Sequence, residues 1–122
     1  MKNYYLSDAD FEKFLGDING IKGYLSHQKN IKKRSFFYIN NGWLGLLKNL
    51  IKDLIKEGWN KKVLYVKDEW GQLRFHSDST NEKMRDLIGE AMLKSRDVCQ
   101  YCGDIYNTPG ICNMNKCKDF KN

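Results

Sequence analysis

The sequence predicts a small α+β domain: three amphipathic helices, one β-hairpin and a C-terminal four-cysteine knob. Three observations predict it. Apolar residues recur at helical spacing in three separate windows, and two short β-prone runs flank a glycine-containing connection. All four cysteines of the 122-residue chain, Cys99, Cys102, Cys112 and Cys117, fall within its last 24 residues. Residues 1–98 read as the α+β core and 99–122 as a four-cysteine zinc knob packed on it as one unit. One proline, Pro109, and no Ser/Pro/Gly linker argue against a two-domain split.

The first helix is expected over about 7–18. Ser7 with Asp10 three residues on is a weak capping box, and Asp8 and Asp10 suit the positive helix N-terminus. Phe11, Phe14, Leu15 and Ile18 then form one stripe, which Gly20 and Gly23 end. Residues 20–34 read as a long loop with a short strand at Tyr24–Leu25. Ser35 to Ile39 reads as a strand, joining the hairpin, or as a packed extended segment. Asn40-Asn41-Gly42 is turn chemistry. The second helix, about 43–57, carries Trp43, Leu44, Leu47, Leu50, Ile51, Leu54 and Ile55 on a broad core face, with Gly58 at the C-cap.

A hairpin follows over about 62–76. Val63–Val66 and Leu73–Phe75 are its strands, and Lys67 to Gln72 connects them with Gly71 supplying a positive φ. Ser79 and Glu82 form a capping box for the third helix, about 79–96, whose stripe is Met84, Leu87, Ile88, Ala91, Met92 and Ser95. That helix runs almost directly into Cys99.

The cysteines follow a C-x2-C-x9-C-x4-C order. Two residues between Cys99 and Cys102 let both sulfurs face one ion, and Gly103 permits the turn in which backbone N–H groups donate to sulfur. The second pair, Cys112 and Cys117, is looser, with an Asn107-Thr108-Pro109-Gly110 turn before it. Four thiolates complete a tetrahedral, closed Zn²⁺ shell, and the knob resembles a minimal zinc ribbon or treble clef. A tail this short has too little apolar surface for its own core, so the metal supplies its folding free energy. Two disulfides or free thiols are the competing reading, and a reducing cytosol disfavours the disulfides. The knob carries few bases for reading DNA sequence, so stapling the fold is its default role.

The formal charge is +6, with ten Lys/Arg against six Asp/Glu in residues 1–60. No acid interrupts the stretch from Lys22 to Arg34, which contains Lys29, Lys32 and Lys33. This is either a solvated loop or a surface for phosphate or an acidic protein. No window offers the roughly 20 apolar residues of a membrane helix, and the first ten residues lack a signal-peptide pattern. The expectation is a soluble protein of the bacterial cytoplasm without a membrane partner.

Lys67-Asp68-Glu69-Trp70-Gly71-Gln72-Leu73-Arg74-Phe75-His76 resembles a K-E-K-F-G-G-L-R-F-Y segment of a family of small phage and prophage proteins. Gly42-Trp43 with the helix after it, and the C-x-x-C-G knuckle with a second ligand pair, match the same family. The resemblance covers about residues 40–117. Trp70 stands for Phe, Gln72 for Gly, His76 for Tyr, and Cys117 for the family's usual His. It implies phage origin and fold; it attaches no activity and transfers no catalytic residues.

Catalytic motifs are lacking. The two histidines, His27 and His76, lie outside the cysteine segment, where a His-Asn-His nuclease would need them. A small enzyme around His76 with Glu69 or Asp78 is the third-ranked reading. The first is a non-enzymatic phage or mobile-element protein that engages a host protein or ribonucleoprotein. The form that fits is an inhibitor of a bacterial defence system, of the anti-CRISPR kind, using Lys29, Lys32, Lys33 and Arg34, or Arg74 and His76. The second is a nucleic-acid-binding accessory protein that uses loop 22–34, with Tyr24, Phe36, Phe37 and Tyr38 as stacking groups on DNA or RNA. On the hairpin, Arg74 and His76 share the outward face, as a structural pair with neighbouring acids or, with Lys67, as a ligand face.

Overall fold

A computed structural model describes residues 3–18, 22–23, 32–63, 65–77, 81–105 and 117. It contains three α-helices and a two-stranded antiparallel sheet, an α+β arrangement. The expected Tyr24–Leu25 strand, Gly20, Lys29, Ser79, the 107–110 turn and Cys112 lie outside the described residues.

Helix α1 (Asp8–Asp17) starts on Ser7, whose Oγ accepts the Asp10 amide at 3.1 Å. Its Phe11 and Leu15 are fully buried, as the stripe requires. After it, β1 (Lys22–Gly23) pairs in parallel with β2 (Lys62–Val63). The aromatic segment near residue 35 is not a simple strand. Lys33–Phe36 forms a 3₁₀ turn because Glu12 of α1 accepts the Lys33 and Arg34 amides, at 2.8 and 2.6 Å. Only Tyr38 then joins the sheet, by a parallel bridge to Lys67.

A 3₁₀ turn at Asn41–Trp43 leads into α2 (Leu44–Lys56), which buries Leu44, Leu46, Leu47, Leu50, Ile51 and Leu54. Its end is a Schellman motif. Gly58 adopts φ 86°, its amide reaches the Ile55 carbonyl, and the Trp59 amide reaches Leu54, each at 3.0 Å.

The hairpin starts later than expected, at Tyr65, but its strands are longer and its turn is tighter. Strands β3 (Tyr65–Glu69) and β4 (Gln72–His76) are joined by two residues, Trp70 and Gly71, both at positive φ. The connection expected over Lys67–Gln72 therefore lies mostly within the ladder, and Val63 belongs to β2. Such a turn matches the right-handed twist of the strands, so pairing extends to Glu69 and Gln72 although Asp, Glu and Lys are poor strand formers.

Helix α3 (Glu82–Ser95) is capped by Asn81, not by Ser79: the Asn81 Oδ1 accepts the Met84 amide at 2.9 Å. Asn81 is equally good cap chemistry and lies one residue before the first helical position. Helix α3 packs on β4 and α2. At the end of α3 the buried Ser95 hydroxyl accepts the Leu73 amide at 2.9 Å and donates to the Met92 carbonyl at 2.6 Å, which stitches helix to sheet. The core between these layers is centred on Phe11, Leu15, Trp43, Leu47, Ile51, Val66 and Leu73. Among the described residues, no helix is long and apolar enough to cross a membrane.

A candidate metal centre and an exposed hairpin face

The chain leaves α3 through Val98 and enters a tight knuckle. Val98 bridges Ile105, the Cys99 amide donates to the Asp104 carbonyl at 2.8 Å, and the Gly103 amide donates back to Cys99 at 2.8 Å. Gly103 takes φ 80°, the left-handed conformation the turn demands. This brings Cys99 and Cys102 to one side, and Cys117 completes a buried group whose sulfurs all lie within 4.8 Å of one another. Cys99 Sγ and Cys117 Sγ are 3.4 Å apart, well beyond the roughly 2.05 Å of a disulfide. Sulfurs about 2.3 Å from a tetrahedral metal stand about 3.8 Å apart, so the spacing fits ligands of one ion.

The electrostatics favour thiolate. Burial raises the Cys99 thiol, but the backbone N–H groups of Cys102 and Tyr101, with the thiols of Cys117 and Cys102, outweigh it and bring the pKa to about 7. Three of the four expected ligands thus converge and can hold a metal ion. The fourth, Cys112, lies outside the described residues.

What seats the knuckle is a set of glycines and one indole. The Gly42 amide donates to the Gln100 carbonyl at 2.8 Å, and a Cβ at Gly42 would lie 2.3 Å from the Cys99 carbonyl oxygen. Beside it, the buried Trp43 Nε1 donates to the Val98 carbonyl at 2.8 Å. The N-terminal segment is held in the remaining gap. The Tyr4 amide donates to Gly103 at 3.0 Å, the Gly45 amide donates to Tyr4 at 2.8 Å, and Asn3 Nδ2 reaches the Cys102 carbonyl at 3.1 Å. The sequence showed Gly42-Trp43 only as a turn and a core residue. The role of residues 3–5 left no periodic signal.

Of the expected partner-binding residues, Lys32 is exposed and Lys33 half-buried, while Lys29 lies outside the described residues. Arg34 is drawn into the fold. Its Nη atoms donate to the Phe37 and Ile39 carbonyls, both at 2.6 Å, and its Nε lies 3.1 Å from Asp8. Burial lowers its pKa, and Asp8 and Glu12 act the other way. Arg34 thus fixes the 34–41 turn from inside. Phe37 is buried in an edge-on contact with Phe11, which removes it as a stacking group.

Arg74 and His76 do share the outward face, and the ladder adds partners. Register pairs Tyr65 with His76 and Lys67 with Arg74, and the Tyr38 bridge places that tyrosine beside Lys67. Tyr65 and His76 stack with ring centroids 5.0 Å apart and nearly parallel, and Lys67 Nζ lies 5.1 Å from the Tyr65 centroid. Lys67 and Arg74 both approach Glu69, at 3.3 and 3.6 Å. Trp70, at the tip, is 97% exposed with φ 57°. The sequence places it only within the Lys67–Gln72 connection; its signal is a Trp-Gly pair where Asn-Gly or Asp-Gly would serve the turn better.

Compared with known proteins, the chain matches no protein-family model, no curated protein and no solved structure.

Proposed function

We propose that this chain is a non-enzymatic binding protein that engages a host macromolecule through its hairpin face, with its cysteine knob held by one structural Zn²⁺. The observation that carries the reading is Trp70. A bulky side chain in the left-handed region costs about 1–3 kcal/mol, and a tryptophan exposed this far returns nothing to the core. A residue that costs stability and contributes no packing is explained by what it contacts outside the fold.

Zinc is the metal that suits the site. An all-sulfur donor set is soft, and four thiolates leave no open position for water, which fits a structural ion and not a catalytic one. Cys112 is the fourth ligand in this proposal, and the knob is a zinc-ribbon-like or treble-clef-like staple. Thiolate ligands stay reduced in the bacterial cytoplasm, where the partner would be met.

Phage or mobile-element origin rests on the resemblance of the Gly42-Trp43, Lys67–His76 and C-x-x-C-G segments; inhibition of a defence system in the anti-CRISPR manner adds to it the small size of the chain and its lack of a catalytic motif. The test is affinity capture from bacterial lysate with wild-type protein and Trp70→Asn side by side, each with and without nuclease. A macromolecule retained by the wild type and lost from Trp70→Asn supports the reading. Equal retention by both removes the hairpin face from the function.

A further inference from the structure

Resting on the reading that the hairpin face binds, we infer that its ligand is single-stranded nucleic acid, with bases stacking on Trp70, Tyr38 and His76 and phosphates held by Lys67 and Arg74. Four of the five side chains come together only through the ladder, and Trp70 stands in the turn that joins its strands. Lys67 and Arg74 are register partners, His76 is two residues along β4 from Arg74, and Tyr38 is bridged to Lys67. Residues two apart on a strand share a face, so cations and rings alternate along one surface.

The rings are presented and not packed. Trp70 is 97% and Tyr38 63% exposed, and His76 is exposed with one face laid on Tyr65. Each offers a flat aromatic surface to a base, and such stacking tolerates any sequence because every base has a π-face. The cations are under-compensated. Like charges directly opposite on a ladder repel, and among the described residues Glu69 alone is ion-paired with both Lys67 and Arg74. One positive charge is left over on this face, within a chain of net charge +6, and a phosphate between the two cations would relieve their repulsion.

Two alternatives fit less well. A protein hot spot is an aromatic sealed in a pocket by water-excluding neighbours, whereas these rings stand apart with charged side chains between them. A duplex hides its base faces in its own stack and shows only groove edges, which flat exposed rings cannot read.

The test is fluorescence anisotropy of a labelled oligothymidylate, a labelled oligouridylate and a mixed-sequence duplex with the full-length protein. Wild type is expected to bind a single strand at least about tenfold tighter than the duplex. The two single-stranded arms show whether DNA or RNA is preferred. Trp70→Asn, which places a turn-compatible residue at the tip, should keep the fold and lose about tenfold in affinity, within the range for one stacked base. Lys67→Ala with Arg74→Ala should flatten the log–log salt dependence by about 0.7, the value for the one phosphate the two cations share on a single strand. Equal affinity for Trp70→Asn, or a duplex bound as tightly as a single strand, overturns the inference. Absence of oligonucleotide binding also overturns it, but a Trp70-dependent protein retained from lysate then leaves the binding reading standing. If that capture fails too, both fall.

Discussion

The knuckle and the hairpin tip each turn on a glycine in the left-handed region, Gly103 at φ 80° and Gly71 at φ 77°. Their surroundings are opposite. A Cβ on Gly103 would stand 2.3 Å from the Tyr5 nitrogen, whereas one on Gly71 would meet nothing within 4 Å. At the knuckle the glycine is required for conformation and for space, because the N-terminal segment passes directly over it. At the tip it is required for conformation alone. The difference separates a part of the molecule that is locked into the core from a part that is held out of it. The buried sulfurs, Gly42, Trp43 and residues 3–5 belong to the first; Trp70, Tyr38 and the Lys67–Arg74 pair belong to the second.

The largest effect should come from emptying the cysteine site. Elemental analysis of reduced protein is expected to give one zinc per chain. Cys99→Ser, or prolonged chelation, should lower the melting temperature by more than about 10 °C, since a structural zinc contributes much of the folding free energy of the segment it closes. No loss of stability on metal removal would break the assignment of the knuckle as a staple.

Gly103→Ala comes next. It combines backbone strain with a clash against Tyr5, and about 3 kcal/mol or more of destabilisation is expected in urea titration. Gly71→Ala carries the strain without the clash and should cost only about 1 kcal/mol. Similar values for the two would dissolve the contrast between locked and open turns.

Arg34→Met tests whether the basic segment is structural here. Its guanidinium serves two carbonyls and Asp8 from inside, so removal should cost about 2 kcal/mol. A residue with a free surface role would instead leave stability unchanged. The smallest effect is of opposite sign. Trp70→Asn should stabilise the protein by about 0.5–1 kcal/mol by relieving the left-handed tip, read as a small rise in melting temperature. A fall would show that Trp70 packs in solution and would weaken its assignment to binding.

Much of the fold is legible in the residues alone. The Phe11, Leu15 and Leu44–Leu54 stripes identify core faces because helical periodicity is a local property. Gly58 and Ser7 announce helix ends by capping chemistry, and C-x-x-C-G announces a knuckle. Where the structure departs from local pattern, a long-range partner decides. Glu12 coils residues 33–36 into a 3₁₀ turn, which takes Ser35 and Phe36 out of the extended segment that aromatic composition suggested over 35–39, and the register with β4 draws Lys67 to Glu69 into a strand that their propensities oppose.

The sequence by itself determined the α+β class, the three helices, the presence of a hairpin and the cysteine cluster, since spacing and residue type act over a few neighbours. Only the tertiary structure decided that Arg34 faces inward, that Gly42, Trp43 and Gly103 seat the knuckle, and that Tyr38, Lys67, Arg74 and His76 share one face with Trp70 at its edge. Those outcomes depend on which segments pack together across roughly 20 to 100 residues of chain, as in the bond from Asn3 to Cys102, 99 positions apart. Local pattern carries no record of such separations, because the free energy that fixes them arises only when the segments meet.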